Sequence, residues 1–270
     1  MRASPSTLAE PFAPLGLAEL ESEAALHERV DVKYVIPLAA CALLAGRLRG
    51  THRALEIDDR RAFAYRTTYF DTPELRAFRD HLQQRRRRFK CRAREYVDSD
   101  LCAFEVKLKG RRGRTVKHRM AYDRALRDEL SEPAIAFLSE CVQRAYGRSP
   151  DAAELAPTLT VAFSRMTFVA PGLGERVTCD LDVAFKSPGG ASGRLAPGAV
   201  IVESKSAGGN AIADRALRAI GARPEAQCSK YCLGVGLTRP DLRCNGLPTL
   251  LRRHFRAAPT ATLALAREGV

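Results

Sequence analysis

The chain has 270 residues, 46% of them hydrophobic, which is enough for one large core or two small ones. A net charge of +13 and a pI near 9.7 point to an anionic partner: nucleic acid, a membrane surface or a phosphate-rich ligand. No run approaches the roughly 18 apolar residues of a membrane span, and no charged-then-apolar leader opens the chain, so a cytoplasmic protein without its own membrane span is expected.

The basic residues are mostly Arg, which a GC-rich genome can produce by itself. The eight Lys are more informative, because nearly all fall on predicted strands, where Lys is disfavoured. The eight Cys form no CxxC pair. Cys228, Cys232 and Cys244 are loosely spaced without nearby His, so no zinc site is expected. Cys41, Cys141 and Cys179 sit on apolar patterns, as buried free thiols do.

In chain order, residues 1–24 are rich in Ala, Pro, Ser and Glu without a firm period, and read as a flexible tail or a loosely docked helix. Glu28 to Ile36 alternates as a strand, and Pro37 starts a helix running to about Arg49. Ala62 to Phe70 is a second strand. Asp71-Thr72-Pro73-Glu74 starts a helix to about Leu82, with a capping acid and a first-turn Pro. The Arg-rich stretch Arg85–Tyr96 is a strand with Arg86, Arg88, Lys90, Arg92 and Arg94 on one face. Leu101–Lys109 is its neighbour, with Glu105, Lys107 and Lys109 on one face and Phe104, Val106 and Leu108 on the other. Gly110–Gly113 is a basic turn, and Arg114–Tyr122 is a strand in which Lys117 and Arg119 share a face.

Asp123 to about Tyr146 reads as helix, broken near Pro133. Pro157–Val169 is a strand carrying Arg165. Glu175–Lys186 is a clear alternating strand with Arg176, Thr178, Asp180 and Asp182 on one face. Ser187–Gly198 is a loop, Ala199–Ser206 a strand with Glu203 and Lys205, and Asn210–Ile220 a short helix. Gln227–Leu233 reads as a final strand or a strand-to-loop segment. The stretch near Leu247–Arg256 is expected to be helical. The domain division is 1–24 tail, 25–238 single domain, and 239–270 basic, Ala-rich C-terminal tail, partly helical.

One charged strand face is ordinarily the solvent face of a sheet. Here at least six strands carry ionisable residues at i, i+2 spacing. A closed barrel can invert the usual arrangement, packing apolar faces under helices and lining a tunnel with charge. Many cations along an extended path suit a triphosphate or polyphosphate, with Arg for bidentate contacts and Lys as point charges. Two or three carboxylates could hold a divalent metal bridging phosphate oxygens. The candidates are Asp31, Glu105, Asp180, Asp182 and Glu203. Asp180 and Asp182 could equally pair with Arg, and Glu105 suits a salt bridge that holds Lys107. Neither GxxxxGK[ST] nor GxGxxG occurs. None of the five His falls on a triad-like pattern.

In order along the chain, Asp31-Val-Lys33-Tyr34, Tyr69-Phe70-Asp71-Thr72, Lys90-Cys-Arg92-Ala-Arg94-Glu-Tyr96 and Phe104-Glu105-Val-Lys107 are followed by Lys117-His-Arg119 and Arg165. Arg176-Val-Thr-Cys-Asp180, Val202-Glu203-Ser-Lys205 and Ser229-Lys230-Tyr231 complete the set. Their number and order resemble the VTC domain over about residues 25–236. That domain is the polyphosphate polymerase catalytic domain of the vacuolar transporter chaperone complex and its bacterial relatives, among the triphosphate tunnel metalloenzymes with the CYTH phosphatases and adenylyl cyclases.

The resemblance implies an α+β fold with an eight-stranded antiparallel β-barrel tunnel, a charged interior, helices outside, and a nucleoside triphosphate donor with Mn²⁺ or Mg²⁺. It implies phosphate contacts from Lys33, Lys90, Arg92, Arg94, Lys107, Lys117, Arg119, Arg165, Arg176 and Lys230. Lys33, Arg92, Arg94, Lys107, Arg165, Arg176, Lys205 and Lys230 are the expected catalytic cations, and Glu203, Asp180 and Asp31 the expected metal carboxylates. The hydrolytic CYTH members begin with ExExK; Arg29 stands here in place of the first acid, which favours the polymerase-like branch.

The function expected is a metal-dependent transfer of the γ-phosphate of ATP onto polyphosphate. The alternatives are a tunnel phosphohydrolase acting on inorganic triphosphate or a similar substrate, and a non-catalytic module binding polyphosphate or nucleic acid. Few aromatics (7%) and no nucleic-acid motif argue against base reading. Any coupling to export would need a separate membrane partner.

Overall fold

The computed structural model describes residues 5–23, 30–110, 115–148, 150–208, 210–244 and 246–258. Position 29, the basic turn over 111–113 and the end of the C-terminal tail beyond 258 lie outside these residues.

The chain opens with α1 (Pro5–Ala9), β1 (Pro14–Leu15) and α2 (Leu17–Glu23). This stretch packs against the rest of the domain, as the docked alternative has it. Leu8, Ala9, Phe12 and Leu15 are buried, and the Phe12 and Phe168 rings lie 4.6 Å apart. Arg61 clasps the turn by donating to the carbonyls of Ala9, Glu10 and Phe12 at 2.8 Å each. The anchor is tertiary, so the unperiodic Ala/Pro/Glu composition gave no sign of it.

Next come β2 (Val30–Pro37), α3 (Leu38–Leu48), β3 (Arg53–Leu55), β4 (Phe63–Asp71) and α4 (Arg76–Leu82). Asp71 does cap α4, but across a loop: its carboxylate accepts from the Ala77 and Phe78 amides at 2.8 and 3.0 Å. Then follow β5 (Phe89–Tyr96), β6 (Cys102–Lys109), β7 (Thr115–Ala121) and α5 (Glu132–Tyr146), with Pro133 in the first turn of α5. The strand face expected from Arg86 is shorter. Arg85–Arg88 precede β5, and only Lys90, Arg92 and Arg94 belong to it.

The rest is β8 (Ala156–Ala170), β9 (Glu175–Lys186), β10 (Ser192–Leu195), β11 (Ala199–Ser206), α6 (Ile212–Ala219), α7 (Lys230–Thr238), α8 (Leu247–His254) and β12 (Phe255–Ala258). β10 occupies a stretch expected to be loop. Gln227–Leu233 is not a strand: from Lys230 it is helix, with Tyr231, Cys232, Leu233 and Val235 all buried.

Eight strands run in the order β2–β11–β9–β8–β4–β5–β6–β7, each neighbour antiparallel. β10 and β12 extend the sheet beside β9, β3 pairs with β8, and β1 joins β3 in parallel. The expected closed barrel appears here as a curled sheet: among the described residues no ladder joins β7 to β2. The curl still brings its ends together, since Lys107 and Lys109 on β6 feel the charges of Asp31 and Lys33 on β2.

Three apolar clusters follow from the alternation. Outside, α3 and α6 cover Tyr34, Ile36, Cys179, Val200 and Val202, while α5 covers Cys91, Phe104, Val106 and Leu108. The third cluster lies on the inner face, where α7 packs against Val35, Tyr69, Leu159, Val161, Phe163, Val183 and Phe185. One end of the concave face is thus an apolar floor and the remainder is charged. A bulge makes this possible: the β8–β9 register shifts between Ala162 and Ser164. Opposite it, Asp182 has a φ of +52°. The extra residue brings Val183 and Phe185 onto the inner face. Asp182, expected beside Asp180, is exposed at the bulge.

Candidate functional site

Directly opposed residues on paired strands share a face, so the registers trace the inner surface. Lys117, Lys107 and Lys90 lie in one row across β7, β6 and β5. Arg119, Glu105, Arg92 and Tyr69 form the next, and Arg94 lies opposite Thr67. Across the sheet, Arg165 opposes Asp180 and Asp180 opposes Ile201. Thr178, Glu203 and Lys33 align, as do Arg176, Lys205 and Asp31. Every residue expected to contact phosphate or metal therefore lies on this one face, except Lys230, which enters it from the first turn of α7.

Two buried carboxylates, Glu105 and Asp180, and a half-buried one, Glu203, hold the cations. Glu105 is 1% exposed; it accepts from Arg92 Nε at 2.8 Å and from Lys117 Nζ at 3.1 Å, with Arg94 Nη1 at 4.0 Å. Burial pushes its pKa up, but Arg92, Arg94 and Lys117 outweigh that and hold it well below the usual carboxylate range. Its partners correct the sequence reading, which gave Glu105 to Lys107. Asp180 is fully buried, taking Arg165 through both oxygens at 2.5 and 2.8 Å and Lys230 on Oδ2. Against burial, Arg165 and Lys230 hold its pKa below the ordinary value.

Glu203 pairs with Lys33 at 3.5 Å and with Lys205, its neighbour two residues on. Burial raises its pKa, and Lys205, Lys33 and Lys107 more than reverse the effect. Lys33 in turn is raised: burial lowers it, but the Glu203 and Asp31 carboxylates prevail. Lys205 is pushed down to about 8 by burial, against the pull of Glu203. Lys107 is pushed down to about 7 by burial, with Glu203 resisting and Lys33 assisting.

The remaining cations are less central. Lys90 donates to Ser229 Oγ at 3.0 Å, and burial lowers its pKa. Arg119 is exposed, 5.2 Å over the Tyr96 ring. Arg176 is half-buried beside Lys205. Sequence reasoning gave no role to an aromatic base beneath the cations. The Tyr65 and Phe163 rings stack 5.2 Å apart. Arg94, Arg165 and Lys230 lie over the Phe163 ring at 6.0, 5.1 and 4.9 Å, and the two arginines also over Tyr65. The only sequence signal was the aromatic content of β4.

Among the described residues no three His, Cys, Asp or Glu side chains gather as a ready-made metal cage. The donor set nonetheless fits a hard divalent ion that takes most of its ligands from phosphate and water. Glu203 and Asp31 lie on neighbouring strands of one face, two residues apart in register. Asp180 is apart from that pair, with its oxygens held by Arg165 and Lys230. All eight Cys are free and buried. No helix among the described residues is long and apolar enough to cross a membrane.

A concave antiparallel sheet whose inner face gathers cations around buried carboxylates is the architecture of a protein built to hold polyanions. The chain belongs to the VTC domain family, whose model matches residues 28–239. The search of curated proteins found no match. Among solved structures, similarity extends to a candidate adenylate cyclase from Bacillus halodurans, at 15% identity over 72% of this chain and 88% of that one, with a TM-score of 0.45. It extends also to HpAC1 from Hippeastrum, a candidate adenylyl cyclase with a dominant triphosphatase activity (14% identity, 80% of this chain and 99% of that one, TM-score 0.47). The Pyrococcus horikoshii protein PH1819 is similar at 12% identity over 76% of this chain and 97% of that one, with a TM-score of 0.42. The family assignment rests on the sequence match, and it supports an enzyme acting on triphosphates with a divalent metal.

Proposed function

We propose that the concave face is a phosphate tunnel in which the γ-phosphoryl group of ATP is transferred to the end of a growing polyphosphate chain. The observation that carries this reading is the convergence of Lys33, Arg92, Arg94, Lys107, Arg165, Arg176, Lys205 and Lys230 on one face. A terminal oxygen of the chain attacks the γ-phosphorus in line, the bond to the bridging β–γ oxygen breaks, and ADP leaves with that oxygen's charge. No side-chain nucleophile is required, so the protein supplies positioning and charge neutralisation.

Arg92, Arg94 and Arg165 present planar guanidinium groups to phosphate oxygens, and the carboxylates and rings behind them fix their rotamers. Glu203 and Asp31 would hold the divalent ion, Mg²⁺ or Mn²⁺. Such an ion would supply Lewis-acid neutralisation of the negative charge that develops in transfer. Lys33 and Lys205 hold the Glu203 carboxylate ionised and oriented.

The test is incubation with ATP and Mn²⁺, following both free phosphate and polyphosphate length on a gel, with Glu203→Ala and Lys33→Ala beside the wild type. A growing ladder that both substitutions abolish is the expected outcome. Free phosphate without a ladder would replace the reading by hydrolysis of a triphosphate. Neither product from a folded protein, with polyphosphate still bound, would leave a binding module.

A further inference from the structure

Outside the inner face, six arginines line a cleft of about 700 Å³: Arg76, Arg79, Arg85, Arg86, Arg87 and Arg148. This is the size of a small-ligand site rather than a surface dent. Its lining also holds Gln83 and a single carboxylate, Asp80, which pairs with Arg85 at 3.3 Å. Among the described residues no ion pair reaches Arg76, Arg79, Arg86, Arg87 or Arg148. Exposed arginines so concentrated repel one another unless an anion sits among them. The inner face solves the same problem with buried carboxylates, and the cleft does not.

The cleft also has a fixed relation to the inner face. Arg85–Arg87 lead directly into β5, whose inner side continues as Lys90, Arg92 and Arg94. The Tyr146 hydroxyl donates to the Arg88 carbonyl at 2.7 Å and accepts from the Lys109 amide at 3.0 Å. That bond pins the end of α5, and with it Arg148, beside the start of β5. His81, at the end of α4, is driven down to about 2 by burial and by Lys90, Arg88 and Lys107, so the end of α4 feels cations of β5 and β6.

We propose that this cleft is a second anion site, which binds a run of consecutive phosphates of an inorganic polyphosphate chain beyond the portion held on the inner face. Guanidinium groups pair bidentately with phosphate oxygens, and a chain of clustered phosphates satisfies several at once. Among the described residues the lining has no aromatic side chain on which a base could stack, which disfavours a nucleic acid. The choice of polyphosphate rests on the function proposed above; the affinity of the cleft for clustered phosphates does not.

The experiment is calorimetric titration of the full chain with long-chain polyphosphate and, separately, with tripolyphosphate. The wild type is compared with Arg79→Ala/Arg87→Ala and with an equal charge change at exposed sites on α3 and just past its end, Arg47→Ala/Arg49→Ala. The cleft variant is expected to bind the long chain roughly tenfold more weakly at low salt, with a shallower salt dependence as fewer counterions are released. Its affinity for tripolyphosphate is expected to hold, and Arg79→Lys/Arg87→Lys to recover most of the loss. Equal losses in the cleft and α3 variants would reduce the cleft to general surface charge and overturn the proposal. So would long-chain affinity that ignores the cleft, or an oligonucleotide that competes as well as polyphosphate does. Turnover is scored separately. A cleft-dependent loss of long-chain affinity without any polymerase ladder would sink the proposed reaction and leave the site, and a ladder with cleft-independent affinity would do the reverse.

Discussion

On the function proposed above, Lys107 and Lys205 should make phosphate binding a proton-coupled event. Burial sets Lys107 near 7 and Lys205 near 8 in the free protein. At pH 8 Lys107 is then about nine-tenths neutral and Lys205 about half neutral. A triphosphate placed between them favours the ammonium form of both, so binding at pH 8 should take up about 1.4 protons. From pH 7.5 to 9 the linked loss of affinity is roughly 200-fold, and Lys107→Met should reduce it to roughly eightfold by leaving only Lys205 to titrate. Titration calorimetry of metal-free ATP, in two buffers of different ionisation heat, reads both the affinity and the proton count. ATP is nearly fully ionised above pH 7.5, so the protons belong to the protein. Uptake close to zero at pH 8, or an unchanged pH slope in Lys107→Met, would refute the assignment of these two lysines to the ligand-facing surface.

The same burial has an opposite signature in the unliganded protein. Both lysines have folded pKa values below their unfolded ones, so the unfolded chain binds more protons between about pH 7 and 10.4. Stability to urea should therefore rise with pH across that window, and Lys107→Met should flatten the rise. Asp180→Asn leaves Arg165 and Lys230 facing each other without their carboxylate, and should cost about 3–5 kcal/mol in urea denaturation. Adding Lys230→Met should recover part of that cost; full additivity of the two changes would contradict the pairing. Gly234→Ala tests the floor, because a Cβ there would stand 2.4 Å from Leu159 Cδ2 and 2.5 Å from Phe185 Cδ1. It should cost about 1–3 kcal/mol, read as a fall in Tm, and a neutral result would mean that α7 is not seated against β8 and β9.

What the sequence made legible was whatever depends on a period of two. β9 and β11 begin and end where alternation said they would, with Arg176, Thr178 and Asp180 opposite Val177 and Cys179, and Glu203 and Lys205 opposite Val200 and Val202. Alternation cannot show where its phase slips. Asp182 continues the pattern Arg176, Thr178, Asp180 in the sequence, yet the bulge takes it out of the inner face. It also cannot distinguish a short buried helix from a strand. Lys-Tyr-Cys-Leu-Gly-Val-Gly-Leu is apolar all round because α7 is surrounded by β8, β9, α4 and α8. Nor does spacing along one strand identify partners: Glu105 sits two residues from Lys107, but the residue opposite it on β5 is Arg92, and that is the cation it holds.

The ion pairs give the inner face a definite unliganded state. Among the described residues, the cations on it are Lys33, Lys90, Arg92, Arg94, Lys107, Lys109, Lys117, Arg119, Arg165, Arg176, Lys205 and Lys230. They face four carboxylates, Asp31, Glu105, Asp180 and Glu203. The carboxylates are not spread evenly. Glu105 and Asp180 are buried and paired with Arg92 and Arg165, so each is a fixed counter-charge within the sheet. Glu203 is more accessible than Glu105 or Asp180 and is shared between two lysines, Lys33, which stays charged, and Lys205, which burial pushes down to about 8. Rearrangement on binding is therefore easiest around Glu203, where a divalent ion would have to compete with Lys33 and Lys205 for the carboxylate. On the arginine-lined side the guanidinium groups are already held by Glu105 and Asp180. On the function proposed above, burial would divide the labour: prepaired arginines would position the phosphates, and the lysine–glutamate cluster is where charge would move.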